Sequence, residues 1–478
     1  MMTNKLKIFS VFLLSGLVLF TGCSKVKDFG SINTNPNGTP IPITAALLTN
    51  AESALAGYSV NVRDGYYCQY FAETQYPAAS LYSIPQIDFT GIYAGSLEDL
   101  QNIINQNTDP GTKGAVAASG SNANQIAVAK ILKSYILWTI TDRWGDVPYT
   151  KALTGDPHPA YDKQMDIYTG LIADLKSAIA GFDNGPSMAG DILLGGDNNA
   201  WKKWANTMRM EIALRTSKIY PAAGGWGATE FAAALADANG SLTDNADNVS
   251  LDFPGGAFQN PWYNEYVATS RKDDAESSTM TGTLTTLNDP RINVYGTSTA
   301  GFPYGLSRDQ ATLISSWAFV FTGTSISDNT PIIVSNAATS LFARAEAAEL
   351  GWTAESSTAL YTQAVTTSLQ QWGATSTQIT NYLAQSSVSY AASNHLSKIG
   401  TQRWIAMYPD GTQGWAEWRR TGFPVLTPSA YAVNASKLIP RRYVYGTNEY
   451  ALNNDVVKAA AAALTGGDTQ DSKVWWDK

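Results

Sequence analysis

Histidine and cysteine, two residue types common in catalytic sites, are sparse in this chain. His158 and His395 are its only histidines, and a proline precedes and follows His158. The motifs Gly-x-Ser-x-Gly and Gly-x-x-x-x-Gly-Lys-Ser/Thr are both absent, and no group of His and Cys has the spacing of zinc ligands. The sequence therefore predicts no catalytic residue, no metal site and no cofactor.

Carboxylates are plentiful, so only their surroundings can indicate a role. Glu417 lies near three tryptophans and two arginines, namely Trp404, Trp415, Trp418, Arg419 and Arg420. One interpretation is an acid in an aromatic cleft, as a surface glycosidase would need. The favoured interpretation is a buried Glu–Arg pair beneath tryptophan, because arginine suits stacked, bidentate positions.

A second acidic run is Asp273-Asp274-Ala275-Glu276. Its oxygens could bind calcium, but the run lacks the glycine-bearing loop of a calcium site. The pattern is more typical of the solvated start of a helix, where acidic side chains interact favourably with the positive end of the helix dipole.

Aromatic residues with a polar edge dominate over phenylalanine, with 24 Tyr and 14 Trp against 15 Phe. Such side chains offer a flat apolar face and a hydrogen-bonding edge, which suits stacking on sugar rings or peptide planes. The alternative is that most of them pack in the core or at its rim.

The amino terminus predicts export and acylation. Lys5 and Lys7 precede an apolar run over 8–20 that is too short for a stable membrane span, and Thr21-Gly22-Cys23 follows it. We expect residues 1–22 to be a lipoprotein signal peptide, Cys23 to carry the lipid, and residues 23–42 to form a polar tether. The alternative is an ordinary secretory signal with a chance cysteine.

The net charge and the cysteine content restrict the possible partners and the possible disulfides. The formal net charge is −8, which argues against nucleic acid as a partner because phosphates need clustered Lys and Arg. With Cys23 acylated, Cys68 has no partner for a disulfide and is expected to be a small buried hydrophobe.

Apolar residues at helical spacing predict the elements that must position these side chains. The predicted helices cover 96–107, 123–142, 164–182 with Asp162 as N-cap, 200–219, 337–350, 355–372, 376–385 and 390–408, with a short one at 459–463. The pairs 123–142/164–182 and 337–350/355–372 are similar in length to tetratricopeptide units. Residues 240–336 predict an irregular insertion with short strands and one helix near 276–288, and Trp475 and Trp476 predict a tail packed on the body.

Several phrases, taken in order, resemble one family. They are Asp28-Phe29-Gly30-Ser31-Ile32-Asn33-Thr34-Asn35-Pro36, Asp142-Arg143-Trp144-Gly145-Asp146-Val147-Pro148-Tyr149, Asn288-Asp289-Pro290-Arg291, Phe342-Ala343-Arg344-Ala345-Glu346, Gln402-Arg403-Trp404, Gly414-Trp415-Ala416-Glu417-Trp418-Arg419-Arg420 and Ile439-Pro440-Arg441-Arg442-Tyr443. From Cys23 to Lys478 the chain resembles the SusD/RagB-like outer-membrane lipoproteins of Bacteroidota.

The resemblance implies a mainly α fold over 43–478, with a tetratricopeptide-like scaffold and a loop-rich, ligand-facing insertion at about 240–336. It implies a lipid-anchored protein on the outer face of the outer membrane, which is not an enzyme. Such a protein captures oligosaccharides, or in some members peptides, for a SusC-like TonB-dependent transporter. A scaffold that binds only protein is a further alternative.

The family's ligand residues do not carry over by motif, so candidates come from aromatic residues in the irregular regions. They are Tyr76, Tyr82, Trp262, Tyr263, Tyr304 and Trp317.

Overall fold

The helical stripes of the sequence become buried helices in the computed structural model of the protein, which describes residues 43–321, 327–390 and 394–478. Cys23, the predicted signal peptide and the predicted tether lie outside these residues. Ile43–Lys478 form one compact unit.

The longer helices, numbered in chain order, occupy most of the scaffold. They are α1 (Thr44–Ser53), α2 (Glu98–Thr108), α3 (Asn122–Trp144), α4 (Gln164–Gly181), α5 (Asn198–Arg215), α6 (Trp226–Leu235), α7 (Ser278–Thr286), α8 (Ala337–Glu349), α9 (Ser357–Gln371), α10 (Ser376–Leu383), α11 (His395–Met407), α12 (Gly411–Thr421) and α13 (Asn454–Ala463). Short helical segments are Leu55–Ser59, Val62–Tyr67, Thr90–Ile92, Tyr93–Leu97, Lys113–Val116, Ala117–Ser119, Asn245–Asp247, Pro261–Tyr263, Asn264–Ala268, Ile292–Tyr295, Arg308–Ala311 and Thr447–Leu452.

Consecutive helices pack in pairs, α3 with α4, α5 with α6 and α8 with α9. Helix α3 is buried along most of its length. It begins where the Ser121 hydroxyl accepts from the Asn124 N–H at 3.1 Å, and it ends at Gly145, whose φ of 90° favours glycine. The predicted helix-pair scaffold is confirmed.

In the part of the chain that the structure describes, four two-stranded sheets tie the irregular segments to this scaffold. The strands are β1 (Phe71–Glu73), β2 (Gln86–Ile87), β3 (Val147–Pro148), β4 (Tyr161–Asp162), β5 (Val249–Leu251), β6 (Asp274–Glu276), β7 (Ile332–Ser335) and β8 (Val444–Tyr445). The pairs β1–β6, β3–β4 and β5–β7 are antiparallel, and β2–β8 is parallel.

Two local predictions were wrong. Helix α4 begins after Lys163, and the carboxylate of Asp162 instead accepts from the N–H groups of Tyr149 and Thr150 at 2.9 and 2.8 Å. The acidic run near 274 forms strand β6, not a helix start, and Asp274 and Glu276 are buried.

The core is one large apolar cluster with smaller ones beside it. Cys68 is buried and free, as predicted. Within the described ranges, none of the helices is both long enough and apolar enough to span a membrane. In the same ranges, no group of three or more His, Cys, Asp or Glu is placed to hold a metal ion.

Candidate functional site

Strand pairing across two hundred residues of chain brings two loops together at the surface. In the β1–β6 ladder Phe71 lies opposite Glu276, and Glu73 lies opposite Asp274. Just beyond the ladder the Thr74 N–H donates to the Asp273 carbonyl at 2.8 Å. The loop that follows β1 therefore lies beside the loop that precedes β6.

These loops and residues 308–319 form what we call the aromatic face. It consists of Gln75, Tyr76, Arg271, Lys272, Asp273, Arg308, Trp317 and Phe319.

Tyr76 is the most open ring of the aromatic face, with 55% of its surface exposed. It lines an open pocket of about 450 Å³ together with Gln75 and residues 270–273. The guanidinium of Arg308 lies 5.5 Å from the centre of its ring, a cation–π distance that fixes one side of the tyrosine. Arg271 pairs with Asp273 on the rim of the same pocket, with its Nε 2.8 Å from the carboxylate.

Cations and aromatic rings continue along the aromatic face. The ammonium of Lys272 lies 5.4 Å from the centre of the Phe319 ring, and the Phe319 and Trp317 ring centres are 6.1 Å apart. Trp317 rests edge-on against buried Phe302 at 5.4 Å. Its indole N–H has no hydrogen-bond partner among the residues that the structure describes.

The groups of this arrangement are suited to recognising a ligand. A flat exposed ring can lie against the C–H side of a sugar or the plane of a peptide bond. The guanidinium groups beside it donate hydrogen bonds in a fixed fork and cannot accept a proton near neutral pH. The aromatic face contains no nucleophile–base pair.

The model of one protein family, described as starch-binding and associating with the outer membrane, matches residues 36–446. The chain belongs to the SusD-like family.

Solved structures share this fold over nearly the whole chain. A chitin-binding protein is 27% identical, with a TM-score of 0.77, over 91% of this chain and 100% of that one. A chitin-binding SusD homolog from Flavobacterium johnsoniae is 24% identical, with a TM-score of 0.76, over 91% and 97% of the two chains. A SusD homolog from Bacteroides uniformis ATCC 8492 is 23% identical, with a TM-score of 0.77, over 91% and 99%. No curated protein matches the chain.

The structure of this SusD-like chain places the six predicted ligand residues in different surroundings. Tyr76 and Trp317 belong to the aromatic face, and Tyr263 is half-buried on a short helix. Tyr82 is 1% exposed, and its hydroxyl lies 3.2 Å from that of half-buried Tyr304.

Trp262 is 2% exposed. Its ring packs on Phe71 and Tyr266, with centre distances of 5.0 and 5.9 Å. The rings of Tyr82 and Trp262 thus have no open side in this structure. That any of the six residues binds a ligand stays a prediction.

Sequence reasoning missed the cations of the aromatic face, Arg271, Lys272 and Arg308. Lys272 and Arg271 immediately precede the acidic run that was interpreted as a helix start, and nothing local links them to Tyr76. No local signal was available, because the burial of Asp274 and Glu276 in a short strand is unusual for acidic residues and shows only in the structure.

The Glu417 cluster is a buried ion network. Arg420 donates to Glu417 at 2.7 Å and to Glu346 at 2.6 Å, and Arg403 lies 3.3 Å from Glu417. Burial alone would raise the pKa of Glu417, but Arg403, Arg420 and Arg215 together lower it to about 2. Glu417 is fully buried, and arginines hold it ionised, which suits a structural role.

Proposed function

We propose that this SusD-like chain captures oligosaccharides at the aromatic face and delivers them to a SusC-like TonB-dependent transporter in the outer membrane. The observation that carries the proposal is the exposed Tyr76 ring, with the Arg308 guanidinium 5.5 Å from its centre and Arg271 lining the same pocket. Its fold is shared, at 27% identity, with a chitin-binding protein.

In the proposed complex, one sugar ring lies against the open side of Tyr76. Arg271 and Arg308 donate to ring hydroxyls or glycosidic oxygens, and Gln75 offers both a donor and an acceptor. The neighbouring rings of Trp317 and Phe319, with centres 6.1 Å apart, extend the apolar surface of the aromatic face. Neutral sugars suit such a surface because the rim carries both signs of charge, with Asp273 beside Arg271.

Anchoring follows from the amino-terminal sequence. Lipid on Cys23 would hold the chain at the membrane, because each buried methylene of an acyl chain contributes about 0.8 kcal/mol. The proposed role is binding without turnover.

The test of ligand class is calorimetric titration of the purified chain with chitohexaose and maltohexaose, followed by chromatography of the recovered sugar. We expect saturable binding of at least one glucan or chitin oligomer and recovery of the sugar intact. Release of shorter sugars would contradict the proposal and indicate a glycosidase.

A peptide ligand is the second candidate, favoured by the cations Arg271, Lys272 and Arg308. An Asp/Glu-rich peptide would be drawn to them, and its affinity would fall with salt because exposed charges are screened. Titration of a hexa-aspartate peptide at low and high ionic strength tests this candidate. Strong, salt-sensitive peptide binding with no glycan binding would replace the oligosaccharide by a peptide in the proposal.

The transporter partner is tested separately. The tagged, acylated chain would be purified from outer membranes in mild detergent, and we expect a large TonB-dependent barrel to co-purify in equal amount. The Cys23→Ala chain is the matched control, and we expect it to be released from the membrane. Purification of the acylated chain without any barrel would contradict the proposed delivery to a transporter.

A further inference from the structure

Strand β6 is in contact with all three chain segments that form the aromatic face. Its ladder with β1 leads directly into the loop of Tyr76, and the loop of Arg271 immediately precedes it. The backbone N–H of Glu276 donates to the Ala318 carbonyl at 3.0 Å, and Ala318 lies between Trp317 and Phe319 in the chain. The relative position of the three segments therefore depends on this one strand.

Two of the three side chains of β6 are buried acids. Asp274 is 7% exposed and Glu276 is 0% exposed. Among the described residues neither carboxyl forms an ion pair, and both oxygens of Glu276 lack a hydrogen-bond partner. Burying an ionised carboxylate without a cation is very unfavourable, so a proton on each carboxyl favours the strand in its observed position.

The groups around Asp274 are phenols and other acids. The Tyr66 hydroxyl donates to its carboxyl, and the Tyr266 hydroxyl donates to its backbone carbonyl at 3.1 Å. Glu73 lies directly opposite Asp274 in the ladder, and Glu265 approaches its backbone N–H. Like charges at opposite positions of a ladder destabilise it, so ionised Glu73 further disfavours ionised Asp274.

The titratable groups beside Glu276 are three tyrosines, Tyr266, Tyr295 and Tyr408. On another side Gly296 packs so closely that a Cβ there would overlap the Glu276 carboxyl. None of these groups carries a positive charge that could stabilise the carboxylate.

The cations near β6 have other partners. Arg271 pairs with Asp273, and Arg63 interacts with Glu73. Burial therefore raises the pKa of both acids of β6, to about 7 for Asp274. Between the ordinary carboxyl pKa of about 4 and these raised values, the closed ladder binds protons that an opened ladder would release. The ladder should therefore lose stability as the pH rises through this window.

We propose that Asp274 and Glu276, in their uncharged forms, are positioning residues of the aromatic face, and that its affinity for ligand falls as the pH rises and they ionise. The proposal rests on the proposed oligosaccharide binding and adds a pH dependence to it. A neutral sugar and a guanidinium keep their charge between pH 5 and pH 8, so the direct ligand contacts do not predict this dependence.

Calorimetric titration with chitohexaose at pH 5, 6, 7 and 8 measures the effect on binding. We expect the Kd of wild type to rise about threefold to tenfold over this range. The Asp274→Asn/Glu276→Gln double variant keeps the side-chain shapes but cannot ionise, and its Kd should stay constant. The control Asp197→Asn, at the exposed start of α5, should show the wild-type rise. A wild-type Kd that is independent of pH would overturn the proposal.

Hydrogen exchange of the unliganded chain tests the positioning role without any ligand. After correction for the intrinsic pH dependence of exchange, the protection of the β1 and β6 amides in wild type should fall about tenfold per pH unit between pH 5 and pH 7. It should stay constant in the double variant, or fall less steeply in Asp274→Asn alone if the double variant does not fold. Amides of the β5–β7 pair, compared in the same samples, serve as the internal control.

Protection of β1 and β6 that is independent of pH in wild type, or that falls equally in the variants, would overturn the proposal. Failure of the chain to bind any oligosaccharide at every pH would instead overturn the proposed function. The exchange profile would still decide whether the two acids hold the loops of the aromatic face in place.

Discussion

The residues that identify this family and the residues proposed to bind ligand lie in different places. Trp415 is 0% exposed, and its indole N–H donates to the Pro440 carbonyl at 3.0 Å. Arg419 stacks over the same ring at 3.9 Å. The phrase around Glu417 therefore specifies how α12 packs in the core.

Removing the charge of Glu417 should destabilise the fold strongly. Glu417→Gln leaves Arg403, Arg420 and Arg215 facing one fewer carboxylate, and breaking one partner of a buried pair costs about 3–5 kcal/mol. The measurement is chemical denaturation of the variant and of wild type.

The control is Lys203→Met, which breaks the more exposed pair of Lys203 with Asp247 at 2.6 Å. We expect a loss below about 1 kcal/mol there. Equal losses in the two variants would contradict the assignment of Glu417 to a buried network.

Truncating Tyr76 should weaken oligosaccharide binding without affecting stability. Tyr76→Ala removes the exposed ring that Arg308 steadies, and we expect the Kd for the bound oligomer to rise about tenfold, or about 1.4 kcal/mol. The matched variant is Tyr220→Ala, because this half-exposed ring packs on Trp226 and Trp475. Binding that falls equally in both variants, or in neither, would remove Tyr76 from the site.

The sequence identified candidate aromatics but could not assemble a site from them. Tyr76 was predicted because it is an aromatic residue in an irregular segment, and the same reasoning selected Trp262, which is buried. The neighbours of Tyr76 come from residues 271 and 308, and only the β1–β6 ladder brings the first of them close. Pairings at that distance along the chain leave no local pattern.

At the scale of elements, helical periodicity was a reliable guide wherever a wide apolar stripe was present. The prediction of 123–142 corresponds to α3 over Asn122–Trp144, and 337–350 corresponds to α8 over Ala337–Glu349. Helix α6 was missed, because its Ala-rich segment has no stripe of large apolar residues. Strand β6 was missed because its buried side chains are acidic.

The contact between α12 and the short helix Val62–Tyr67 leaves no room for a methyl group. A Cβ on Gly411 would lie 2.3 Å from the backbone nitrogen of Gly65 and 2.6 Å from its Cα. Because both neighbours are backbone atoms, we expect Gly411→Ala to lower the unfolding free energy by about 3 kcal/mol or more.

The matched substitution is Gly282→Ala in α7, where a Cβ meets nothing within 4 Å. There we expect a gain of about 0.5–1 kcal/mol, because alanine favours the helix. Thermal denaturation compares the two variants. A Gly411→Ala chain as stable as wild type would show that the two helices do not meet this closely.

Helix α12 also begins at a carboxyl that titrates near neutral pH. Burial raises the pKa of Asp410 from 3.8 to about 7, while its side chain caps α12 by accepting from the Gln413 N–H at 3.0 Å. Between these two values the folded protein binds more protons than the unfolded chain. The unfolding free energy should therefore fall as the pH rises from about 4 to about 7.

Asp410→Asn keeps the capping oxygen and removes this titration. We expect its unfolding free energy to fall less steeply between pH 4 and pH 7, by about 2–4 kcal/mol over the window. Burial also raises the pKa of Asp274 to about 7. Asp274 therefore adds a pH dependence of the same sign to the unfolding free energy of both proteins. The control is Asp197→Asn at the exposed start of α5, and a slope identical in all three proteins would rule out the effect.

At the scale of the whole molecule, the carboxyl-terminal tail joins the helical body to the ion network. Trp476 is 0% exposed, and its indole N–H donates to Asp142 at 3.0 Å. Asp477 pairs with Arg441, and Arg419 lies 4.7 Å over the Trp476 ring. The sequence predicted that this tail packs on the body, because two neighbouring tryptophans would otherwise be exposed to water. The burial of Trp476 confirms the prediction.

The molecule thus has a closely packed interior. On its surface, loops bring aromatic rings and cationic side chains together. The interior follows from the periodicity and the buried motifs, and both could be predicted. The aromatic face is assembled by loops that short strands hold together. Because these strands pair residues far apart in the chain, the face could not be predicted from the sequence.

The crystal structure of the chain with chitohexaose bound tests the central claim most directly. We predict sugar rings lying over the open side of Tyr76, with a hydroxyl or glycosidic oxygen within hydrogen-bond distance of Arg271 or Arg308. An oligosaccharide bound elsewhere, with Tyr76 open to solvent in the same crystal, would contradict the account.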